Sequence, residues 1–516
     1  MKYDVIIVGG GSAGCTLAAR LSEDPARSVL LLEAGPDYPD LSQMPDELKL
    51  AYRQSATDAA SPYNWAYTGQ GTAQQSRPMR VDRGKVIGGS GAINAQVFLR
   101  GLPEDCDDWA AQGNDEWSFL KVLPFFRQLE TDLDVQDDFH GTDGPIPVRR
   151  LDRSEWQPLS RAFHQAALAS EFPDVADMNH PDATGVGPLP MNNPENLRVS
   201  AALAYLNPKR HRLNLTVKAD VMAQRIRFEG QRAVGVDVVS GGEMFTVEGR
   251  EIVLCAGGIA SPQLLMLSGI GPAHHLSEMG IGVVADLPGV GQNLRDHPLV
   301  YIELEAKLGV AITGKIPRIH TGLRYTAAGS RSRNDLLIFP TAYASAAAGD
   351  PWRDGRPPLP EGMYLACTLE RADSAGQLTL MSADPSAPPR LQYHYLETDW
   401  DRARMREAIR LCLRFLEHPS FAPLVAKRLA PTDVDLASDD ALDAWMCQNV
   451  ATNQHTSGTC KMGPGTDAMA VVDQYGRVHG MEALRVLDLS ICPNVVRANP
   501  NATAIMIAER AAGWIP

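Results

Sequence analysis

Hydrophobic positions at the start of the chain form two short runs separated by a helix-like stretch. Val5 to Val8 is apolar, β-branched and uncharged, the pattern of a strand buried on both faces. Ser12 to Leu21 is rich in helix-forming residues, and Ser28 to Leu32 is a second apolar run. The pattern therefore predicts a strand, a helix and a second strand in succession.

Three glycines stand between the first predicted strand and the helix. Gly9, Gly11 and Gly14 form G-x-G-x-x-G, in which the first permits a tight turn and the second lets a pyrophosphate approach the backbone. The third lets the helix pack close to the strand. Glu33 follows the second strand and is placed to accept hydrogen bonds from ribose hydroxyls. The unit predicts a dinucleotide-binding fold.

The remaining pattern continues as alternating strands and helices. A second strand–Gly-Gly–helix unit lies far from the first in sequence. It consists of the strand at 247–254, Gly257-Gly258 and a helix from Ser261 to Leu267. The pattern of residues 36–82 predicts an irregular, partly helical excursion over the cofactor. The pattern of residues 105–133 predicts a largely helical segment. Residues 296–444 lack a phosphate-binding turn and predict a cover over the reactive end. Other predicted elements are strands at 215–217, 234–239, 247–254, 300–306, 336–340, 363–369 and 377–381, and helices at 400–416 and 502–512.

Composition and charge exclude several classes of function. The 516 residues are 44% hydrophobic and 21% charged, as in globular proteins. A net charge of −14 without a basic run argues against a nucleic-acid partner. No apolar stretch approaches the ~18 residues of a membrane span, and the early first strand leaves no room for a signal peptide. We therefore expect a cytoplasmic protein without a membrane span.

Cysteine and histidine usage points to reduced thiols and no metal. The eight cysteines are scattered without a C-x-x-C pair, which favours free thiols in a reducing compartment. The 12 histidines show no ligand spacing with cysteines or acids, so no metal site is predicted.

Several motifs in this order resemble the glucose–methanol–choline (GMC) oxidoreductases, over nearly the full length. Among the branches of this family, the choline dehydrogenase-like and small-alcohol oxidase-like one is the most similar. The motifs are Gly9 to Gly14 with Glu33, Arg83 to Gly101, Gly257 to Pro272, Val290 to Pro298 (VGQNLRDHP), His455 to Thr459 (HTSGT) and Asn499-Pro500-Asn501.

The resemblance implies an α/β fold, α+β overall. A Rossmann-like FAD-binding domain of the GMC type would be intertwined with a substrate domain built on an antiparallel sheet covered by helices. We expect the FAD-binding domain at 1–150, 195–295 and 445–516, and the substrate-binding domain at 151–194 and 296–444.

The resemblance also implies noncovalent FAD, because Ile93 stands where some members carry a flavin-linking histidine. His455 matches the family's catalytic histidine, and Asn501 matches its hydrogen-bonding partner, although a slip of two residues would substitute Asn499. The cofactor-binding residues that the resemblance implies, with the glycine motif, are Gly9, Gly11, Ser12, Ala13, Gly14, Glu33, Val86, Gly89, Asn94, Ala95, Val221, Ala223, Asp488, Asn499 and Pro500.

The leading hypothesis is FAD-dependent oxidation of an alcohol to an aldehyde or ketone, with His455 as base and Asn501 holding the alkoxide. The alternatives are a hydroxynitrile-lyase type of FAD protein and a light-driven decarboxylase on the same fold. The electron acceptor is O2 or a quinone or other redox carrier. Polar Asn453, where some oxygen-using relatives carry a small apolar residue, favours the latter. Tyr63, Trp65 and Tyr67 offer a cation cage for choline, or simple packing over the flavin.

Overall fold

The predicted first strand lies at the centre of a seven-stranded sheet. The computed structural model describes residues 2–50, 52, 55–310, 317–344 and 361–516. Its strands are β1 Lys2–Val8, β2 Val29–Leu32, β3 Tyr67–Gln70, β4 Met79–Val81, β5 Glu130–Asp132, β6 Ile146–Val148, β7 Gly185–Pro188, β8 Leu215–Lys218, β9 Met222–Glu229, β10 Arg232–Ser240, β11 Glu243–Leu254, β12 Ile270–Gly271, β13 Ala285–Asp286, β14 Pro298–Ala306, β15 Thr321–Tyr325, β16 Leu336–Ala344, β17 Glu361–Leu369, β18 Gln377–Thr379, β19 Arg390–Gln392, β20 Val425–Ala430, β21 Ala451–Thr452 and β22 Leu484–Val486.

Ten α-helices lie in the described part of the chain. They are α1 Ser12–Leu21, α2 Asp46–Lys49, α3 Pro103–Ala111, α4 Phe119–Gln128, α5 Pro158–Ala169, α6 Gly257–Leu267, α7 Ala273–Glu278, α8 Asp399–Leu416, α9 Asp439–Asn449 and α10 Asn501–Ala511. None of the helices in the described residues is long and apolar enough to cross a membrane.

The first sheet has the order β8-β2-β1-β11-β10-β9, and β22 pairs with β11. β1 pairs in parallel with β2 and with β11, whereas β11, β10 and β9 form an antiparallel meander. Ile6 and Ile7 are fully buried, as the uncharged apolar run requires. Helices α1 and α10 pack against each other beside this sheet, so both helix N-termini lie near the ends of its strands.

The second sheet is antiparallel, with the order β20-β14-β17-β16-β15-β7, and β21 pairs with β14. Helices α5 and α8 contact β16 and β17. A parallel sheet and a helix-covered antiparallel sheet together confirm the predicted fold class. The residue boundaries of the two domains stay a prediction, and β21 shows that residues 451–452 join the second sheet.

One stretch of the predicted helical segment is wrong. Residues 103–128 contain α3 and α4, but Glu130–Asp132 forms β5, parallel to β6. Gly144 lies so close to this strand that a Cβ there would stand 2.3 Å from the Glu130 nitrogen. Because this turn packs closely on them, the residues after α4 pair with β6 as a strand and do not continue the helix. All eight cysteines are free and buried, in agreement with the predicted thiols.

Candidate active site

A cavity of about 540 Å³ runs from the carboxyl ends of β1 and β2 to the inner face of the second sheet. Its lining includes Glu33 and Gly11 at one end, His455 and Asn499 in the middle, and Phe339 at the other end. Its volume lies in the usual range of ligand sites, roughly 300–1,000 Å³. One continuous cavity therefore joins the predicted cofactor residues to the predicted catalytic ones.

The glycine motif forms the wall at the nucleotide end. Gly9 has φ +105°, and a Cβ there would lie 2.6 Å from the Cys255 carbonyl oxygen. A Cβ on Gly14 would lie 1.9 Å from the Gly9 oxygen, so this glycine sets the contact of helix and strand and does not line the cavity. At Gly11 the nearest atom to a Cβ is 3.9 Å away, because this position borders open space. The N-terminus of α1, which has no side-chain cap, thus presents its N–H groups to the cavity.

Glu33 closes the far end of this cavity. Its Oε2 accepts a hydrogen bond from the Gly10 N–H at 2.8 Å, and its Oε1 accepts one from the Gly35 N–H at 2.9 Å. Burial raises the pKa of Glu33 to about 7, although these N–H donors act in the opposite direction. The two hydrogen bonds thereby fix the orientation of the carboxyl group at the end of β2.

Most of the other predicted cofactor residues line the same cavity. Asp488 is anchored beside it, because its Oδ2 accepts hydrogen bonds from the Gly257 N–H and the Ser261 hydroxyl. Burial raises the pKa of Asp488. Gly14 and Val86 are the exceptions: Gly14 packs against Gly9, and Val86 packs in a small apolar cluster with residues such as Tyr63 and Ile93. The predicted residues on the lining are Gly9, Gly11, Ser12, Ala13, Glu33, Gly89, Asn94, Ala95, Val221, Ala223, Asp488, Asn499 and Pro500.

His455 lies in a short chain of hydrogen bonds. Its Nδ1 is 2.7 Å from Nδ1 of His297, whose Nε2 is 2.9 Å from the Val496 carbonyl oxygen. On the other edge of the ring, Nε2 of His455 is 3.1 Å from the Asn499 amide nitrogen. Asn499, and not the expected Asn501, is therefore the asparagine that contacts His455.

For a pair of neutral imidazoles, these contacts fix which ring nitrogens carry the protons. The Val496 carbonyl only accepts, so His297 donates through Nε2–H and its Nδ1 carries a lone pair. His455 then donates through Nδ1–H, which leaves a lone pair on its Nε2. This nitrogen accepts a hydrogen bond from Asn499, and both residues line the cavity.

Burial lowers the pKa of His455 well below 6.5, and the nearby His297 and Arg83 act in the same direction. The ring is therefore neutral at neutral pH. Asp296 holds the two histidines together, because its Oδ1 accepts the backbone N–H of His297 at 2.7 Å and that of His455 at 2.8 Å.

Sequence reasoning missed His297. The residue lies in the quoted VGQNLRDHP motif but was given no role, and the adjacency of this motif to HTSGT is visible only in the fold. Pro298 in β14 pairs with Thr452 in β21. This pairing brings His297, just before β14, close to His455, which follows β21.

Asn501 has a different neighbour from the predicted one. Its Oδ1 accepts a hydrogen bond from the Ser12 hydroxyl at 2.7 Å, so it joins the N-termini of α10 and α1. Its amide nitrogen is buried without a hydrogen-bond partner and lies on the cavity wall. A donor left open in this place fits a bound group that accepts hydrogen bonds.

The inner face of the second sheet forms an apolar floor. Leu337 and Phe339 alternate along β16 towards the cavity, and they cluster with Leu299 and Ala366 of the neighbouring strands. Tyr301 packs against this cluster. The floor lies across the cavity from the nucleotide end.

The aromatic residues 63, 65 and 67 do not form an open cage. Trp65 stacks on Tyr67 with ring centroids 5.9 Å apart, and the Lys85 ammonium lies 4.9 Å from the Trp65 ring. Tyr63 hydrogen-bonds Tyr38 through its hydroxyl and does not line the cavity. The packing alternative is thus the one that the structure supports.

The residues present fit FAD. Gly11 leaves open space at a helix N-terminus, Glu33 stands at the end of β2, and Asn501 aims an unpartnered buried amide into the same cavity. Ile93 lies on the lining at the position discussed for covalent attachment.

Comparison with known proteins shows the family of the chain. Two family models, both described as GMC oxidoreductase, match residues 3–299 and 372–508. The chain is 38% identical to the oxygen-dependent choline dehydrogenase 1 of Chromohalobacter salexigens, covering 99% of this chain and 94% of that protein.

Solved structures agree as well. Pyridoxine 4-oxidase from Mesorbium loti has a TM-score of 0.90 at 31% identity, with 99% of each chain covered. The Aspergillus oryzae formate oxidase has a TM-score of 0.89 at 25% identity, with 100% of this chain and 98% of that one covered. The chain therefore belongs to the GMC oxidoreductase family and is an FAD-dependent oxidoreductase that acts on CH–OH groups.

Proposed function

We propose that this enzyme oxidises a primary or secondary alcohol with an uncharged, apolar body to an aldehyde or ketone. The observation that carries the proposal is the unprotonated Nε2 of His455, which accepts a hydrogen bond from the Asn499 amide on the cavity wall, where a substrate hydroxyl would take the place of that bond. A neutral imidazole with an amide donor next to it is suited to accept a hydroxyl proton.

In this mechanism His455 takes the substrate hydroxyl proton at Nε2. Asn499, in place of the expected Asn501, donates an amide hydrogen to the oxygen and so stabilises the developing alkoxide. Bound FAD would supply the two-electron acceptor for the substrate hydride. Asp296 keeps both imidazoles in position through their backbone N–H groups.

Cofactor binding divides between two helix N-termini. We propose that the α1 N-terminus with Gly11, Ser12 and Ala13 holds the pyrophosphate, that Glu33 holds the ribose of the AMP half, and that Asn501 donates to the cofactor. Attachment would be noncovalent, because Ile93 offers no nucleophile. Acid precipitation should release all yellow flavin into the supernatant, and colour retained in the pellet would contradict noncovalent binding.

The electrostatics of the cavity support an uncharged substrate. Arg83 lines the cavity near the base, and its positive charge disfavours a cation there. The acidic residues on the described lining lie away from the floor. Glu33 is at the nucleotide end. Asp488 accepts a hydrogen bond from the Gly257 N–H, and Asp82 accepts hydrogen bonds from Asn64 and Arg80. A trimethylammonium group on the floor would therefore lack a counter-ion among the described residues.

The decisive experiment uses choline and its neutral isostere, in which a tert-butyl group replaces the trimethylammonium. Under anaerobic conditions we expect the isostere to bleach the flavin absorbance and choline to leave it unchanged. Bleaching by choline alone would reject the uncharged substrate class. A flavin that stays oxidised with every alcohol would reject alcohol oxidation and favour the lyase or decarboxylase alternatives.

The electron acceptor is proposed to be a quinone or another redox carrier in preference to O2. Asn453 lines the cavity two residues before His455, and its amide nitrogen is buried without a partner, so this part of the wall is polar. Readmitting air to the reduced enzyme measures the rate of reoxidation. Stoichiometric peroxide at the rate obtained with an artificial dye would show an oxidase instead.

A further inference from the structure

Glu370 lies next to the histidine pair but touches neither the cavity nor the expected cofactor position. It follows β17, which pairs with β14 so that Leu299 lies opposite Thr368. Two residues further along this register, Glu370 lies opposite His297. One oxygen of its carboxylate is 3.5 Å from Nδ1 of His297.

The surroundings of this carboxylate are unusual. Glu370 is 1% exposed, and neither of its side-chain oxygens has a hydrogen-bond partner. Burying a carboxylate without hydrogen bonds is costly unless another charge compensates it. A group of this kind beside a base calls for a functional explanation.

Arg324 contributes a positive charge near Glu370 but does not hydrogen-bond it. Its guanidinium donates to the carbonyl oxygens of Met178 and Arg497. Two interactions therefore hold Glu370: the electrostatic attraction of Arg324, and a hydrogen bond from its backbone N–H to the Asp335 carbonyl oxygen. Among the other charged or titratable groups, Arg83 acts on His455, and the Asp296 carboxylate accepts the His297 N–H and the Tyr395 hydroxyl. Asp105, Arg333 and Arg497 act on Arg324, and Arg371, the residue after Glu370, donates to Asp105.

The hydrogen-bond chain has two proton arrangements that differ in their energy near this carboxylate. Before reaction, the lone pair on Nδ1 of His297 accepts the Nδ1 proton of His455, and the Glu370 carboxylate, 3.5 Å from this nitrogen, faces an uncharged ring. After His455 gains a proton at Nε2, its Nδ1 proton can pass over 2.7 Å to Nδ1 of His297. His297 is then an imidazolium, and its positive charge lies directly beside Glu370.

We propose that Glu370 is a positioning residue that draws the substrate proton's charge from His455 onto His297. This inference rests on the proposed function of His455. The proton balance is complete: the hydroxyl proton goes to Nε2 of His455, the Nδ1 proton of His455 goes to His297, and Glu370 neither gains nor loses a proton. The carboxylate stabilises the arrangement after proton uptake more than the one before it, which makes the pair a stronger base.

Glu370→Gln tests the proposal, because it removes the charge and keeps the shape. In the pH profile of anaerobic flavin reduction, the acid limb should shift to lower pH by about one unit or more. The plateau rate should fall about tenfold, because a weaker base remains. Glu305→Gln, an exposed charge on β14 paired with Lys427, is the matched control and should leave both unchanged.

Two further variants separate charge from packing. Glu370→Asp keeps the carboxylate and should stay nearer to the wild type than Glu370→Gln in the position of the acid limb. In a His297→Gln background, Glu370→Gln should cause no further shift, because Glu370 acts through His297. A Gln variant with an unchanged limb and rate, or an equal effect in the His297→Gln background, would overturn the proposal.

Histidine titration followed by NMR does not depend on turnover. With ¹⁵N-labelled histidine in the FAD-loaded protein, the pH at which the His297–His455 pair becomes charged should be lower in Glu370→Gln than in the wild type. This result would stand even if no alcohol were oxidised, so failure of the proposed function and failure of the role of Glu370 are distinguishable. An unchanged titration in a folded variant would contradict the role.

Discussion

Asn499 and Asn501 flank Pro500, and their side chains serve different parts of the cavity. Asn499 reaches Nε2 of His455 at 3.1 Å, whereas Asn501 accepts a hydrogen bond from Ser12 at 2.7 Å. The sequence motif alone indicates that one asparagine of this tripeptide belongs to the base, but not which one. The direction in which each side chain leaves the start of α10 decides it.

Replacing these asparagines separately should give two distinct defects. Asn499→Ala should lower kcat/KM for the alcohol about 10²-fold with normal flavin content, because the alkoxide loses its donor. Asn501→Ala should chiefly lower FAD retention, and the loaded fraction should turn over within a few-fold of the wild type. Flavin-to-protein ratios and stopped-flow reduction measure both effects. The reverse pattern would restore the original assignment of Asn501.

The lowered pKa of His455 has a definite consequence for the pH profile. Because the neutral ring is the base, the rate of flavin reduction should be constant across neutral pH and fall only below about 6.5, the ordinary histidine value. Anaerobic reduction measured over a range of pH checks this. A limb well above pH 7 would mean that another group controls proton removal.

At the scale of the element, the turn from β1 into α1 was predictable because each glycine has its own steric reason. Gly14 meets the backbone of Gly9, and Gly11 borders open space. The end of the helical segment at 105–133 was not predictable in the same way. Its last residues form β5 because a distant turn at Gly144 packs on them, and such a contact leaves no periodicity in the sequence.

Two glycine substitutions should separate packing from cofactor binding. Gly14→Ala would place a methyl group 1.9 Å from the Gly9 oxygen, so α1 must move, and Tm should fall by about 5 °C or more. Gly11→Ala has room in the protein itself, and it should keep the Tm of the FAD-free form while weakening FAD binding. Thermal unfolding and FAD titration measure the pair. An equal loss of Tm in both would contradict this division.

At the scale of the whole molecule, the two sheets divide the work. The first sheet and its helix termini hold the residues expected to bind the cofactor, and the second sheet supplies the apolar floor. Motifs spread along the chain made this fold predictable. The floor was not predictable, since Leu299, Leu337 and Ala366 come from three strands that carry no shared motif. His297 was missed for a related reason, because its partner lies 158 residues away.

This division predicts that substrate affinity and cofactor content vary independently. Phe339→Ala should raise KM for an apolar alcohol about tenfold or more, through the loss of buried apolar area, with normal flavin content. Ile338→Val, on the same strand but on the core side, is the control and should leave KM unchanged. Steady-state kinetics with flavin quantification check this, and an unchanged KM in Phe339→Ala would place the substrate elsewhere.

The pairing of β14 with β21 has a consequence for how this enzyme diverges. This strand pairing, together with the Asp296 carboxylate, fixes His297 and His455 at one end of the second sheet, and no side chain on the floor takes part in it. Side chains along β16 can therefore be exchanged by evolution or by an engineer while the base keeps its geometry. Related enzymes can in this way keep the same proton-abstraction step while they oxidise very different alcohols.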